Sequence, residues 1–142
     1  MDWIETLGDI NYVGVLVAVL ASFAIGATWY AEALFGKTWM KIEGLKKKDV
    51  ENKEKMKKAM IHTTFAQIIK AIILACLIYV TAVDGWIEGL VFGAVVALGF
   101  SVGSLAMHNS YSQKPTMLTR IHGAHDIVSV AVMGAIIAGI GF

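Results

Sequence analysis

The sequence has one cysteine, one proline and little charge: only 16% of its 142 residues are Asp, Glu, Lys or Arg. A typical soluble domain carries about 25%. Cys76 sits in an apolar run with no second cysteine to pair with, so it reads as a small buried packing residue. With Pro115 the lone proline, no helix interior is kinked by proline. The net charge of +1 excludes a general electrostatic pull toward nucleic acid. Asp2, Glu5 and Asp9 crowd the start and no Lys or Arg precedes Lys37, so a cleaved secretory signal is not expected. No P-loop, CxxC or HExxH occurs, and the chain reads as non-enzymatic.

What is present is apolar. Hydrophobic residues make up 57% of the chain, and mean hydropathy is +0.67. Four stretches stand out, at about 10–30, 61–83, 86–107 and 118–142. At about 1.5 Å per residue, each can cross a hydrocarbon core of about 30 Å. None alternates strictly between apolar and polar residues, which excludes barrel strands. The expectation is an all-α integral membrane four-helix bundle, one domain over 1–142, with the lipid bilayer as its first partner.

The scarce charge is crowded. Fourteen of the 23 charged residues fall within 32–58. Nine lysines lie there, and Lys114 and Arg120 lie near the third loop, whereas the N-terminal segment and the second loop hold only acidic residues. The positive-inside rule then places the first and third loops in the cytoplasm and both termini outside, in the cytoplasmic membrane. Asp84-Gly85 reads as a tight turn that makes the second and third spans antiparallel neighbours. Asp49 reads as an N-cap, with a helix running from Val50 into the second span without a break. Leu34, Phe35, Trp39, Met40, Ile42 and Leu45, interleaved with Lys37 and Lys41, read as a segment along the cytoplasmic interface. Lys46-Lys47-Lys48 reads as a topology signal that also suits anionic headgroups.

Small residues recur every four positions. The first span has Gly14, Ala18, Ser22 and Gly26; the third has Gly89, Gly93, Ala97 and Ser101, with a second stripe at Gly99 and Gly103. The fourth has Gly134 with Ala138, and Ala135 with Gly139. Such stripes let helices approach closely in lipid, either within the chain or between subunits.

Polar residues inside the spans are the chemistry on offer. Thr63, Gln67 and Lys70 share one helix face, as do His122, Asp126 and Ser129, with His125 alongside. Ser101, Ser104 and His108 form a third stripe, and Glu32 follows the first span. Counted from the starts of their spans, Lys70 lies about 13 Å deep and Asp126 about 12 Å, so the two are expected to pair inside the bundle. If the spans instead start near 68 and 127, Lys70 snorkels to the headgroups and Asp126 sits at the interface. His122, His125 and Asp126 also have weak metal-ligand spacing, which leaves Zn or Cu binding open, with haem ligation and a proton relay as further alternatives. No cofactor is otherwise implied.

Three segments resemble a known family. Trp29-Tyr30, Leu34-Phe35-Gly36-Lys37 and Trp39-Met40 match the pattern WY…LFGKxWM. Asn109, Lys114-Pro115 and the run Val132-Met133-Gly134-Ala135-Ile136 match its later features. The pattern is that of the small prokaryotic membrane proteins called domain-of-unknown-function family seventeen-sixty-one. The chain departs from it at His122-Gly123-Ala124-His125-Asp126. The resemblance implies four membrane helices in the cytoplasmic membrane and brings no activity or catalytic residue with it. Physically, Trp29, Tyr30 and Trp39 read as interface anchors around a Gly36-Lys37 turn, or else as the rim of a binding site. Two functions compete: a structural or accessory subunit of a homo-oligomer or larger membrane complex, and a small proton- or cation-coupled transporter or channel. In the second, Lys70, His122, His125 and Asp126 line a path with Glu32 and His108 at its mouth.

Overall fold

The computed structural model describes residues 3–142. Asp2, counted above among the acidic N-terminal residues, lies outside them. The regular elements among the described residues are all helices: α1 (Trp3–Asp9), α2 (Tyr12–Trp29), α3 (Gly36–Glu43), the single turn α4 (Lys47–Val50), α5 (Lys53–Val80), α6 (Trp86–Val96), a π-helical segment (Ala97–Val102), α7 (Gly103–Tyr111) and α8 (Thr116–Ile140). Four of these units are long and apolar enough to cross a membrane: α2, α5, α6 through α7, and α8.

Caps decide where the spans begin. Asn11 breaks the chain between α1 and α2, and its side chain accepts from the backbone N–H groups of Val13 and Gly14. Its 18-residue successor α2 is about 27 Å long, close to one hydrocarbon thickness. The second span corrects an expectation. Its N-cap is Asn52, which accepts from Lys55 N, and not Asp49. Asp49 instead accepts from Lys46 N at 3.0 Å and closes the separate turn α4. That backbone hydrogen bond, aided by the nearby Lys55, holds the Asp49 carboxyl below its ordinary pKa. From Lys53 onward α5 does run unbroken into the span.

The two ends of the bundle differ in charge. At one end the turn after α5 bends through Ala82 and Gly85, both at positive φ, and Tyr79 donates to Asp9 and packs edge-on against Phe142. At the other end the lysine-rich segment meets the α7–α8 turn through Lys114 and Glu43, 3.7 Å apart. The two cation-bearing loops therefore lie at the same end, as their spacing between four spans requires.

The hub is α8. It packs against α2 on one side and α6 on another, and half of its most apolar window is buried. Gly14 faces Ile137 and Ile140, while Gly26 faces His125, so α2 runs antiparallel to α8 along the whole stripe. Ala18 and Ser22, between them, are fully buried. Against α6 the approach is closer. A Cβ on Gly89 would stand 2.3 Å from the Gly134 carbonyl oxygen, and one on Gly93 would stand 2.3 Å from that of Val130. Only glycine permits this contact, and Ala97 continues the buried stripe. In lipid no hydrophobic effect draws helices together, so such close dispersion contacts carry the packing. The first and third stripes are thus intrachain seams, whereas Gly99 has nothing within 4 Å of its missing Cβ and Gly103 has only one atom, at 3.9 Å.

Two further expectations are corrected. The second and third spans are antiparallel but barely touch, because α6 turns its glycines to α8 while α5 lays Ala71, Leu74, Ala75 and Ile78 against the shared core. The third span is not a regular helix, since its middle winds into the π segment. Gly93 opposes Val130 and Val102 opposes Gly123, nine residues on one helix against seven on the other. The wider turns absorb the difference around Ser101, while Ser104 and His108 follow four apart in the regular helix α7.

Candidate functional site

The site begins with a tight return of the chain after α2. The amides of Leu34 and Gly36 both donate to the Ala31 carbonyl, at 3.0 Å each, and Phe35 N donates to Trp29 O at 3.2 Å. Gly36 is buried here, and a Cβ on it would stand 2.3 Å from Tyr30 O and 2.8 Å from Ala31 O. The return holds Trp29 and Tyr30 against α8. Trp29 Nε1 donates to the Ile121 carbonyl at 3.0 Å, and its ring packs on Phe35. Tyr30 shares a 2.5 Å hydrogen bond with His122 Nδ1, and its ring packs edge-on against Trp39 and tilted against His125, with centroids 5.3 Å away in each case. These three aromatic residues, read from sequence as anchors, are half-buried and engage neighbours inside the fold.

One turn deeper lies a carboxylate. Asp126 accepts from His125 Nδ1 at 3.2 Å through one oxygen and from the Ser101 hydroxyl through the other. The π segment delivers Ser101 to that position, which a regular helix would carry further along α8. Because His125 Nδ1–H is spent on Asp126, its Nε2 is the free nitrogen, and it is buried without a hydrogen-bond partner beside Gly26. Gln67 Oε1 and Ser129 Oγ are likewise buried and unpartnered, and Ser129 lies one turn beyond His125 on the same face.

The expected Lys70–Asp126 ion pair does not form as a contact. Lys70 is half-buried, and no carboxylate lies within ion-pair distance of its Nζ among the described residues. Ser101 and His125 occupy the carboxylate instead. Lys70 lines an open cleft of about 300 Å³ between α5 and the third span. Of the other sequence candidates, Thr63 and His108 are exposed, and Glu32 is exposed with Lys47 at 3.8 Å. These three stand apart from the cluster. Nor do His122, His125 and Asp126 converge as ligands, since His122 turns to Tyr30 and no group of three His, Cys, Asp or Glu among the described residues forms a metal-binding set. The partnership of Ser101 with Asp126 was not legible from spacing. Its one signal is the glycine-rich run around it, Gly99 to Gly103, where a helix is free to change its winding.

A helical membrane protein with four long apolar spans, a glycine-sealed core and a histidine–carboxylate cluster near its lysine-rich end is the class this architecture defines. The family model described as "Protein of unknown function (DUF1761)" matches residues 13–138, and the chain belongs to that family. No curated protein and no solved structure matches it.

Proposed function

We propose that the chain is a non-enzymatic, multi-pass protein of the cytoplasmic membrane, with both termini outside, that works inside an assembly. The assembly is a homo-oligomer or a larger membrane complex in which this chain is a small structural subunit. The observation that carries this reading is the bare Gly99–Gly103 stripe. The Gly14-to-Gly26 and Gly89-to-Ala97 stripes are closed against α8, while this one faces open space beside exposed Leu98 and Phe100. A small-residue stripe on the outer face of a span is where another helix docks in lipid. Gentle solubilisation from native membranes, followed by mass determination, tests it. Copies or companions at fixed stoichiometry, lost on Gly99→Leu, are expected; a single chain with no companion refutes it.

A second reading, a proton- or cation-coupled transporter, has its own support. Asp126 and His125 together hold a titratable pair within a span, with His125 Nε2 left open. Liposome flux that depends on pH and vanishes in Asp126→Asn is the expected result. Flux unchanged in that variant removes the relay.

A further inference from the structure

The cleft between α5 and the third span has a chemistry of its own. Ile73, Leu77, Val96 and Phe100 form apolar walls, and polar groups enter only through Lys70 and Ser101. It opens sideways, because α5 and α6 diverge after their shared turn and the π segment widens the third span beside it. Its one cation, Lys70, has three donor protons and no carboxylate at ion-pair distance among the described residues. The Ser101 hydroxyl hydrogen is already given to Asp126. An occupant must therefore be apolar along most of its length, bear an anion at one end, and enter from the bilayer.

We propose that this cleft binds one acyl tail of an anionic phospholipid, with the headgroup phosphate accepting from Lys70 Nζ. Charge complementarity selects this occupant. A zwitterionic lipid offers the same tail and a phosphate already neutralised by its own cation, and a second copy of an apolar span offers no anion. A lysine near the membrane surface favours an anionic lipid by about fivefold. The cleft shares Phe100 with the open face of the assembly proposed above, and the two are told apart because lipid is read by quenching and the assembly by mass.

The test uses the whole chain carrying Leu77→Trp, a half-buried position in the cleft wall, with the parent protein as the background for its native tryptophans. Both are reconstituted in phosphatidylcholine vesicles containing a minor fraction of acyl-brominated phosphatidylglycerol or acyl-brominated phosphatidylcholine. Bromine in the cleft quenches the new tryptophan. The expected result is about fivefold tighter quenching by the anionic lipid, kept in Lys70→Arg and abolished in Lys70→Gln. Should Lys70→Gln fail to fold, Val96→Phe leaves Lys70 in place and narrows the cleft, so it lowers quenching by both lipids. Equal quenching by the two lipids in the starting protein overturns the proposal. Stronger quenching by a brominated free fatty acid overturns it in favour of that ligand. Absent quenching in a particle of two or more chains overturns it in favour of a second copy in the cleft.

Discussion

Replacing Gly93 by alanine adds one carbon where α6 meets α8. That Cβ would stand 2.3 Å from the Val130 carbonyl oxygen, 2.9 Å from its carbon and 3.1 Å from Ala131 Cα, all backbone atoms of a helix that cannot turn aside. Relief requires the helices to part by about 1 Å, and a gap of that size forfeits a quarter to a half of each dispersion contact it opens. Overpacking of this kind costs roughly 3 kcal/mol, at the upper end of the usual range. Alanine's better helix propensity returns up to about 1 kcal/mol, leaving a net loss of about 2 kcal/mol. Gly99→Ala is the internal control, because its Cβ meets nothing within 4 Å. It keeps the propensity gain alone and is expected to stabilise by about 1 kcal/mol. The assay is reversible unfolding of dispersed single chains in mixed micelles, titrated with a denaturing detergent and followed by helical circular dichroism. The gap between the two variants should approach 3 kcal/mol. A gap below about 1 kcal/mol would refute the argument that glycine is required where the two backbones touch.

Gly36→Ala drives a Cβ into the Tyr30 and Ala31 carbonyls, so the return after α2 must open. Loss of the Trp29–Ile121 hydrogen bond is expected as a red shift in tryptophan emission, and an unchanged spectrum counts against it. The double exchange Lys70→Asp with Asp126→Lys is expected to rescue neither single variant in the same detergent titration, because Asp126 is held by Ser101 and His125; full rescue would restore the direct ion pair. Asn52→Ala should cost about 1 kcal/mol through the lost cap of α5, whereas Asp49→Ala leaves the start of that helix intact by hydrogen exchange. The Asp49 carboxyl has a lowered pKa in the folded chain, so its support for α4 is complete above the ordinary carboxylate value and is lost as pH falls through the folded one. The protection of α4 amides, taken relative to intrinsic exchange at each pH, should therefore fall with acid below about pH 4, and Asp49→Asn should erase that dependence.

The spans were legible because an apolar run near 20 residues matches the thickness of a bilayer and little else in a small chain. The loop charges then gave their pairing at one end. Helix starts were less so. Asp49 and Asn52 both suit an N-cap, and nothing local favours the second. The π segment has no periodic signature, so the partner of Asp126 stayed hidden. Counting residues placed Lys70 and Asp126 at similar heights but gave no rotation about their helices. Ser101, from the third span, reached the carboxylate first. The aromatic contacts with His122 and His125 were equally out of reach, since they depend on a backward turn that only Gly36 allows.

The hub position of α8 has a consequence for how the chain is made. Both glycine seams close on a helix that follows the other three spans in synthesis. A nascent chain holding α2, α5 and α6 through α7 has already committed its spans to lipid, yet neither Gly14-to-Gly26 nor Gly89-to-Ala97 has met its mate. Those bare stripes must wait in the bilayer, open to wrong partners, until α8 inserts between them. Assembly is therefore a final closing step, and a chaperone or protease of the membrane would find its target in the interval before it.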